Sequence, residues 1–175
     1  MMSSWAGTGE RILEAARACA RERADFSMAQ VAEGAGISRQ AVYLHYSDRH
    51  TLLAALRDRL APQTDASGIE LAPSARAALS TFLAGLAEAY PALWPVLRAA
   101  GTPELPERLE SCRALVARFR AEGALAPHLA PGTAADILFS LTSPALWHDL
   151  VQTRGWDAGR YRSHVGYLAV SALTK

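Results

Sequence analysis

Apolar side chains recur at intervals of three and four from Glu10 to Leu173, the spacing of amphipathic helices. Ile12, Leu13, Ala16, Cys19 and Ala20 share one face of a helix predicted over Glu10–Arg23. Ser27, with Gln30 three positions on, forms a capping box that opens a second helix burying Met28, Val31 and Ala32. Ala35-Gly36-Ile37 breaks it, and Ser38 is placed to cap a third helix with Val42 and Tyr46 on its inner side. Ser47-Asp48 caps a fourth, which runs through Leu60.

Pro62 to Pro73, with Gln63, Thr64, Asp65, Ser67 and Gly68, reads as a connector. It divides the chain into domains 1–61 and 62–175. Beyond it, Ser74 caps a helix with Leu79, Phe82, Leu83, Leu86 and Tyr90 on one stripe, and Pro91 starts a short helix carrying Leu93, Trp94 and Leu97. Pro103–Glu122 repeats the pattern with Leu105, Leu109, Cys112, Leu115, Val116 and Phe119, and Ala124–Gly132 is a loop. Two long helices close the chain: Thr133 to about Arg154, apolar at Ile137, Leu138, Leu141 and Leu146 with a kink at Pro144, and about Asp157 to Leu173. The expected fold is all-α, with about nine helices.

The second and third helices follow one another without slack, as in a helix-turn-helix. With Val42 and Tyr46 turned inward, Arg39, Gln40, Ala41, Tyr43 and His45 look outward from a helix suited to a major groove. A guanidinium at Arg39 matches guanine O6 and N7, and the amide of Gln40 matches adenine N6 and N7. Ala41 either touches a thymine methyl or simply allows close approach. Ser27 and Arg49 sit at helix N-termini that can face phosphates, and Ser38 opens the recognition helix.

Ile12-Leu13-Glu14-Ala15-Ala16, Gln30 through Ser38, Ala41 through Arg49 and Leu52-Leu53 together resemble the DNA-binding domain of the tetracycline-repressor (TetR) family of bacterial regulators. The resemblance covers roughly the first third of the chain. Arg49-His50 stand where the family has a lysine and then a glutamate. By resemblance Tyr43 and His45 are the phosphate-contacting pair. The resemblance also implies a homodimer on a palindromic operator, joined through the last two long helices, with Ile137, Leu141, Tyr161, Val165, Leu168 and Ala172 at the interface. The residues alone leave this open, because the heptad-like stripe Tyr161, Val165, Leu168, Ala172 would equally complete the subunit's own core.

The resemblance further implies a small-molecule effector bound among Phe82, Leu86, Tyr90, Trp94, Leu97, Phe119, Phe139, Trp147 and His148. An ordinary aromatic core fits the same residues. Few ionisable side chains lie on the inward stripes, so the expected effector is uncharged or weakly charged and apolar.

Composition changes this picture little. The net charge of +1 does not announce a nucleic-acid binder, and residues 1–61 hold eight Arg against seven Asp plus Glu, so any electrostatic argument is local. Cys19 and Cys112 are too few for a disulfide framework, and with no secretory pattern at the N-terminus the expected location is the cytoplasm. No apolar run approaches a membrane span, the longest candidate being Val165–Leu173. The histidines lack metal-ligand spacing, His148-Asp149 point about 100° apart on a helix, and Gly7-Thr8-Gly9 is not a phosphate loop. Neither an enzyme, a metal nor a cofactor is expected. The other reading consistent with the sequence is a small-molecule-binding helical protein that has lost operator binding.

Overall fold

The computed structural model describes residues 2–61, 69, 71–101 and 106–175, with the side chains of residues 2–6 and 106 left aside. Most of the predicted connector, residues 62–68 and 70, and the start of the helix predicted from Pro103, including Leu105, lie outside the described residues. The described elements are helical: α1 (Met2–Glu22), α2 (Met28–Ala35), α3 (Arg39–His45), α4 (Arg49–Leu60), α5 (Ala75–Ala100), α6 (Pro106–Ala121), α7 (Pro131–Leu141), a short α8 (Pro144–Trp147), a π-helical turn (His148–Thr153) and α9 (Ala158–Leu173). The chain divides into two compact units, Met1–Ala61 with Pro91–Pro103, and Pro62–Tyr90 with Glu104–Lys175.

In the first unit α1 packs on α2 and α4, and α2 on α3. Its core joins Ile12, Ala16 and Ala20 of α1, Phe26, Val31 and Ala32, Val42, and Leu52, Leu53 and Leu56 of α4, and it is completed by Val96 and Ala99 from the end of α5. Gly34 allows α1 and α2 to approach, since a Cβ there would meet the Ala15 methyl at 3.4 Å. Apart from Phe26, which lies between α1 and α2, the core residues of these helices fall on apolar stripes, so their burial follows from helical periodicity.

The second unit packs α6 on α7 and α9 on α7. Its interior holds Phe82, Leu86 and Tyr90 of α5, Cys112, Leu115 and Phe119 of α6, Leu138, Trp147, and Tyr161, Val165, Ala169 and Leu173 of α9. The end of α9 is tied to the loop before α7 by the Ala126 N–H, which donates to the Leu173 carbonyl at 2.8 Å.

α1 begins at Met2, eight residues before the predicted Glu10, and two further differences from the sequence expectation fall at prolines. Pro91 does not start a new helix: α5 runs unbroken from Ala75 to Ala100 with Pro91 and Pro95 inside it. A proline in a helix interior forfeits one hydrogen bond and crowds the preceding turn, which bends a helix without having to end it. Pro144, in contrast, marks an interruption where a kink was expected. α7 stops at Leu141, the Ser143 hydroxyl accepts from the Leu146 N–H at 3.1 Å, and Pro144 takes the first position of a new helical turn, where its missing donor costs nothing.

Candidate nucleic-acid interface

α3 is set by caps on both sides of a tight turn. The Ser27 N–H donates to Gln30 Oε1 at 2.8 Å and the Gln30 N–H to Ser27 Oγ at 3.3 Å, a reciprocal capping box. Gly36 then adopts φ 64°, the left-handed conformation that glycine takes without steric cost, and the Ile37 N–H returns to the Ala32 carbonyl at 3.1 Å. Ser38 Oγ accepts from the Ala41 N–H at 3.1 Å and starts α3. After α3, Asp48 caps α4 by accepting from the Thr51 N–H at 2.7 Å and from the Ser47 hydroxyl at 3.0 Å. These bonds to Thr51 and Ser47 hold the Asp48 carboxyl below its ordinary pKa. Ser27 and Ser38 are exposed, but both hydroxyls are engaged in capping.

Around α3, Val42 is fully buried while Arg39, Gln40, Tyr43 and Leu44 are exposed. Ala41 and His45 are half-buried; a Cβ on Gly9 of α1 would stand 3.7 Å from His45 Nδ1, so the imidazole borders the first helix. Tyr46 is half-buried against the core, and desolvation raises the pKa of its phenol. The structure therefore gathers Arg39, Gln40 and Tyr43 on one open surface, with His45 and Ala41 at its edge. It adds Leu44, whose side chain is 68% exposed and was not foreseen. Its signal was in the sequence: at about 100° per residue, Gln40 and Leu44 each lie about 160° from Val42, directly away from the core.

Arg49, expected from the sequence to face phosphate, lies against backbone carbonyls of the first unit. Its Nε donates to the Phe26 carbonyl at 2.9 Å and its Nη2 to the Ala99 carbonyl at 3.0 Å and to the Ala24 carbonyl, with the guanidinium over the Phe26 ring. A guanidinium with this many carbonyl partners is committed to holding the first unit together.

In the second unit, Phe82, Leu86, Tyr90, Phe119 and Trp147 are buried, and Phe139 and His148 half-buried. Tyr90 and Trp147 meet with ring centroids 5.8 Å apart, and Phe139 lies under the Arg108 guanidinium at 3.6 Å. His148 Nδ1 is 3.6 Å from Asp149 on the neighbouring residue. Trp94 and Leu97, expected in the same set, fall in the segment of α5 that belongs to the first unit.

The interior of the second unit is also more polar than the inward stripes suggested. Arg108, only 4% exposed, donates to Thr142 Oγ1 at 2.9 Å and to the Phe139 carbonyl, and the Tyr90 hydroxyl donates to the Thr142 carbonyl at 2.5 Å. The Tyr161 hydroxyl is buried with no hydrogen-bond partner among the described residues. Desolvation raises the pKa of both phenols and pushes the Cys112 thiol to about 11. Arg108 was overlooked although it continues the stripe of Cys112, Leu115 and Phe119 at helical spacing.

The stripe expected at a dimer interface splits in two. Tyr161 and Val165 are buried in the unit's own core, with Ala169 and Leu173, because the four recur every four residues on the inner face of α9. Leu168 and Ala172 are exposed, beside Tyr167, which is 71% exposed. Ile137 and Leu141 on α7 are half-buried. Two surface grooves lie elsewhere in this unit: one of about 570 Å³ lined by Arg113, Val116, Ala117, Arg120, Ala121, Pro131 and Gly132, and one of about 230 Å³ lined by Arg76, Leu79, Ser80, Leu83, Arg162, Ser163, Gly166 and Val170. Among the described residues no group of three or more His, Cys, Asp or Glu could hold a metal ion, and no helix is long and apolar enough to cross a membrane.

Residues 12–56 match the family model described as bacterial regulatory proteins, tetR family, so the helix-turn-helix of the first unit is of that type. The fold as a whole is similar to solved structures of regulators. NalD, the secondary repressor of the MexAB-OprM multidrug efflux pump in Pseudomonas aeruginosa, is 21% identical, with 97% of each chain covered and a TM-score of 0.76. SmeT, the repressor of the Stenotrophomonas maltophilia multidrug efflux pump SmeDEF, is 20% identical over 95% of this chain and 90% of its own, with a TM-score of 0.70. The fatty acid degradation regulator FadR from Bacillus halodurans is 14% identical over 94% and 98%, with a TM-score of 0.75. Comparison with curated proteins gives no match.

Proposed function

We propose that this chain is a ligand-responsive transcriptional repressor that binds a palindromic DNA operator as a homodimer in the cytoplasm. The observation that carries the reading is the open surface of α3, where Arg39, Gln40 and Tyr43 stand exposed on a helix fixed by caps within a tetR-type helix-turn-helix. Arg39 and Gln40 supply base-edge donors and acceptors, and Tyr43, with His45 at the edge, supplies donors for the phosphate backbone. Exposed Tyr167 and Leu168 on α9 support association of two subunits, and a dimer presents two α3 helices about 34 Å apart, one turn of DNA.

For the effector, the relevant precedent is SmeT, for which a triclosan complex is known. In this chain the buried Arg108, Tyr90 and Tyr161 favour an effector with an aromatic or apolar body and at least one hydrogen-bonding group. Such a ligand represses or releases binding only through its differential affinity for the two DNA-binding states. The role proposed for that ligand is regulatory.

The test is a gel-shift titration of the purified protein against the intergenic DNA upstream of its own gene, with nonspecific competitor and at two salt concentrations. A discrete complex weakened by salt supports the reading. Ligand binding with no discrete complex, on this DNA or on sequences selected from a random library, would favour a scavenging role.

A further inference from the structure

Resting on the DNA-binding reading above, we propose that Leu44 is a specificity-determining residue whose side chain packs against the C5-methyl group of a thymine in the major groove. Leu44 is 68% exposed, the most exposed large apolar side chain among the described residues of the first unit, although Val42 two residues earlier is fully buried. It shares the outermost ridge of α3 with Gln40, the two lying about 40° apart around the helix axis. Any duplex that meets the amide of Gln40 therefore meets Leu44 as well. The two side chains are about 6 Å apart along the axis, close to two base steps of about 3.4 Å.

The chemistry of the ridge then selects its target. An isobutyl group carries no donor or acceptor, so it gains nothing from guanine, cytosine or adenine edges, and the thymine methyl is the one apolar feature of the major-groove floor. Gln40 and Leu44 together read an A·T-rich stretch, the amide on adenine and the leucine on a thymine within about two base pairs of it.

The experiment uses the full chain and an operator selected from a random duplex library. Thymines in one half-site are replaced singly by deoxyuridine, which removes the methyl and keeps the hydrogen-bonding pattern, and each DNA is titrated with wild-type protein and with Leu44→Ala. The expected result is one thymine position at which deoxyuridine weakens wild-type binding about fourfold, the worth of one buried methyl group, and leaves the Leu44→Ala variant unaffected. Thermal denaturation checks that the variant is folded, as its exposure leads one to expect. Equal sensitivity of both proteins at every thymine overturns the proposal while leaving DNA binding intact. Failure to select any sequence overturns the DNA-binding reading and the proposal with it.

Discussion

The guanidinium of Arg49 lies over the ring of Phe26, 4.7 Å from its centroid, and donates to the carbonyl of that same residue at 2.9 Å. A cation at the start of α4 thereby grips the segment between α1 and α2, and through the Ala99 carbonyl the end of α5 as well. Arg49→Ala should lower stability by about 2–3 kcal/mol, the scale of lost hydrogen bonds from a charged group plus the packing of its stem. Arg49→Lys should recover little, because an ammonium cannot reproduce the fork. Chemical denaturation measures both. Below its melting temperature the alanine variant should keep the wild-type salt dependence of DNA binding; a slope reduced by about one would mean that a phosphate contact was lost.

Gly36 holds the turn at φ 64° with open space where a side chain would go. Gly36→Ala should therefore cost roughly 1–2 kcal/mol through backbone strain alone, and Gly36→Asn less, since asparagine tolerates this conformation better. Equal stability of all three proteins in urea would contradict the assignment.

In the proposed DNA complex, Tyr43→Phe removes the hydroxyl assigned to the phosphate backbone and should weaken binding to all sequences alike. Gln40→Ala should relax preference at one position per half-site, by about 1–3 kcal/mol of discrimination. Binding measured across a set of single-base operator variants separates the two patterns, and their reversal would exchange the roles.

Leu168→Arg places a charge on the exposed face of α9 and should convert the proposed dimer to monomer with little change in the stability of the subunit. Val165→Arg, one turn away on the buried face, should prevent folding. Sedimentation velocity and circular dichroism distinguish the outcomes; a dimer unperturbed by Leu168→Arg would move the interface off this face.

Cys112 is buried with its thiol pushed up to about 11, whereas Cys19 is half-buried. Iodoacetamide at pH 8 should modify Cys19 first and Cys112 only on unfolding, as peptide mass spectrometry would show. The same shift has a stability consequence. The folded state favours the protonated thiol, so this contribution is intact below the ordinary value of 9.0 and declines as pH rises from there to about 11. Cys112→Ala should flatten the fall in melting temperature across that window.

The capping logic of the helix-turn-helix was legible residue by residue, because Ser27, Gln30, Gly36 and Ser38 act on backbone groups within four positions of themselves. Long-range partners were not. Arg49 looks like any exposed cation until folding brings the carbonyls of Ala24, Phe26 and Ala99 around it. The stripe Tyr161, Val165, Leu168, Ala172 mixed two faces because spacings of three and four both satisfy a heptad, and only packing shows that the inner face continues through Ala169 and Leu173. Prolines were ambiguous for a related reason: Pro91 and Pro144 have the same local chemistry, and only Pro144 has a serine before it whose hydroxyl caps a new turn.

The contribution of Val96 and Ala99 to the core around α1, α2 and α4 means that the compact unit carrying the helix-turn-helix is discontinuous in sequence. Cutting the chain after Ala61 removes two apolar plugs and the carbonyl of Ala99 that Arg49 holds, so a fragment of residues 1–61 starts with an opened core. Transplanting this unit into another chain therefore has to carry the stretch from Pro91 onward with it, or redesign the surface that stretch leaves bare.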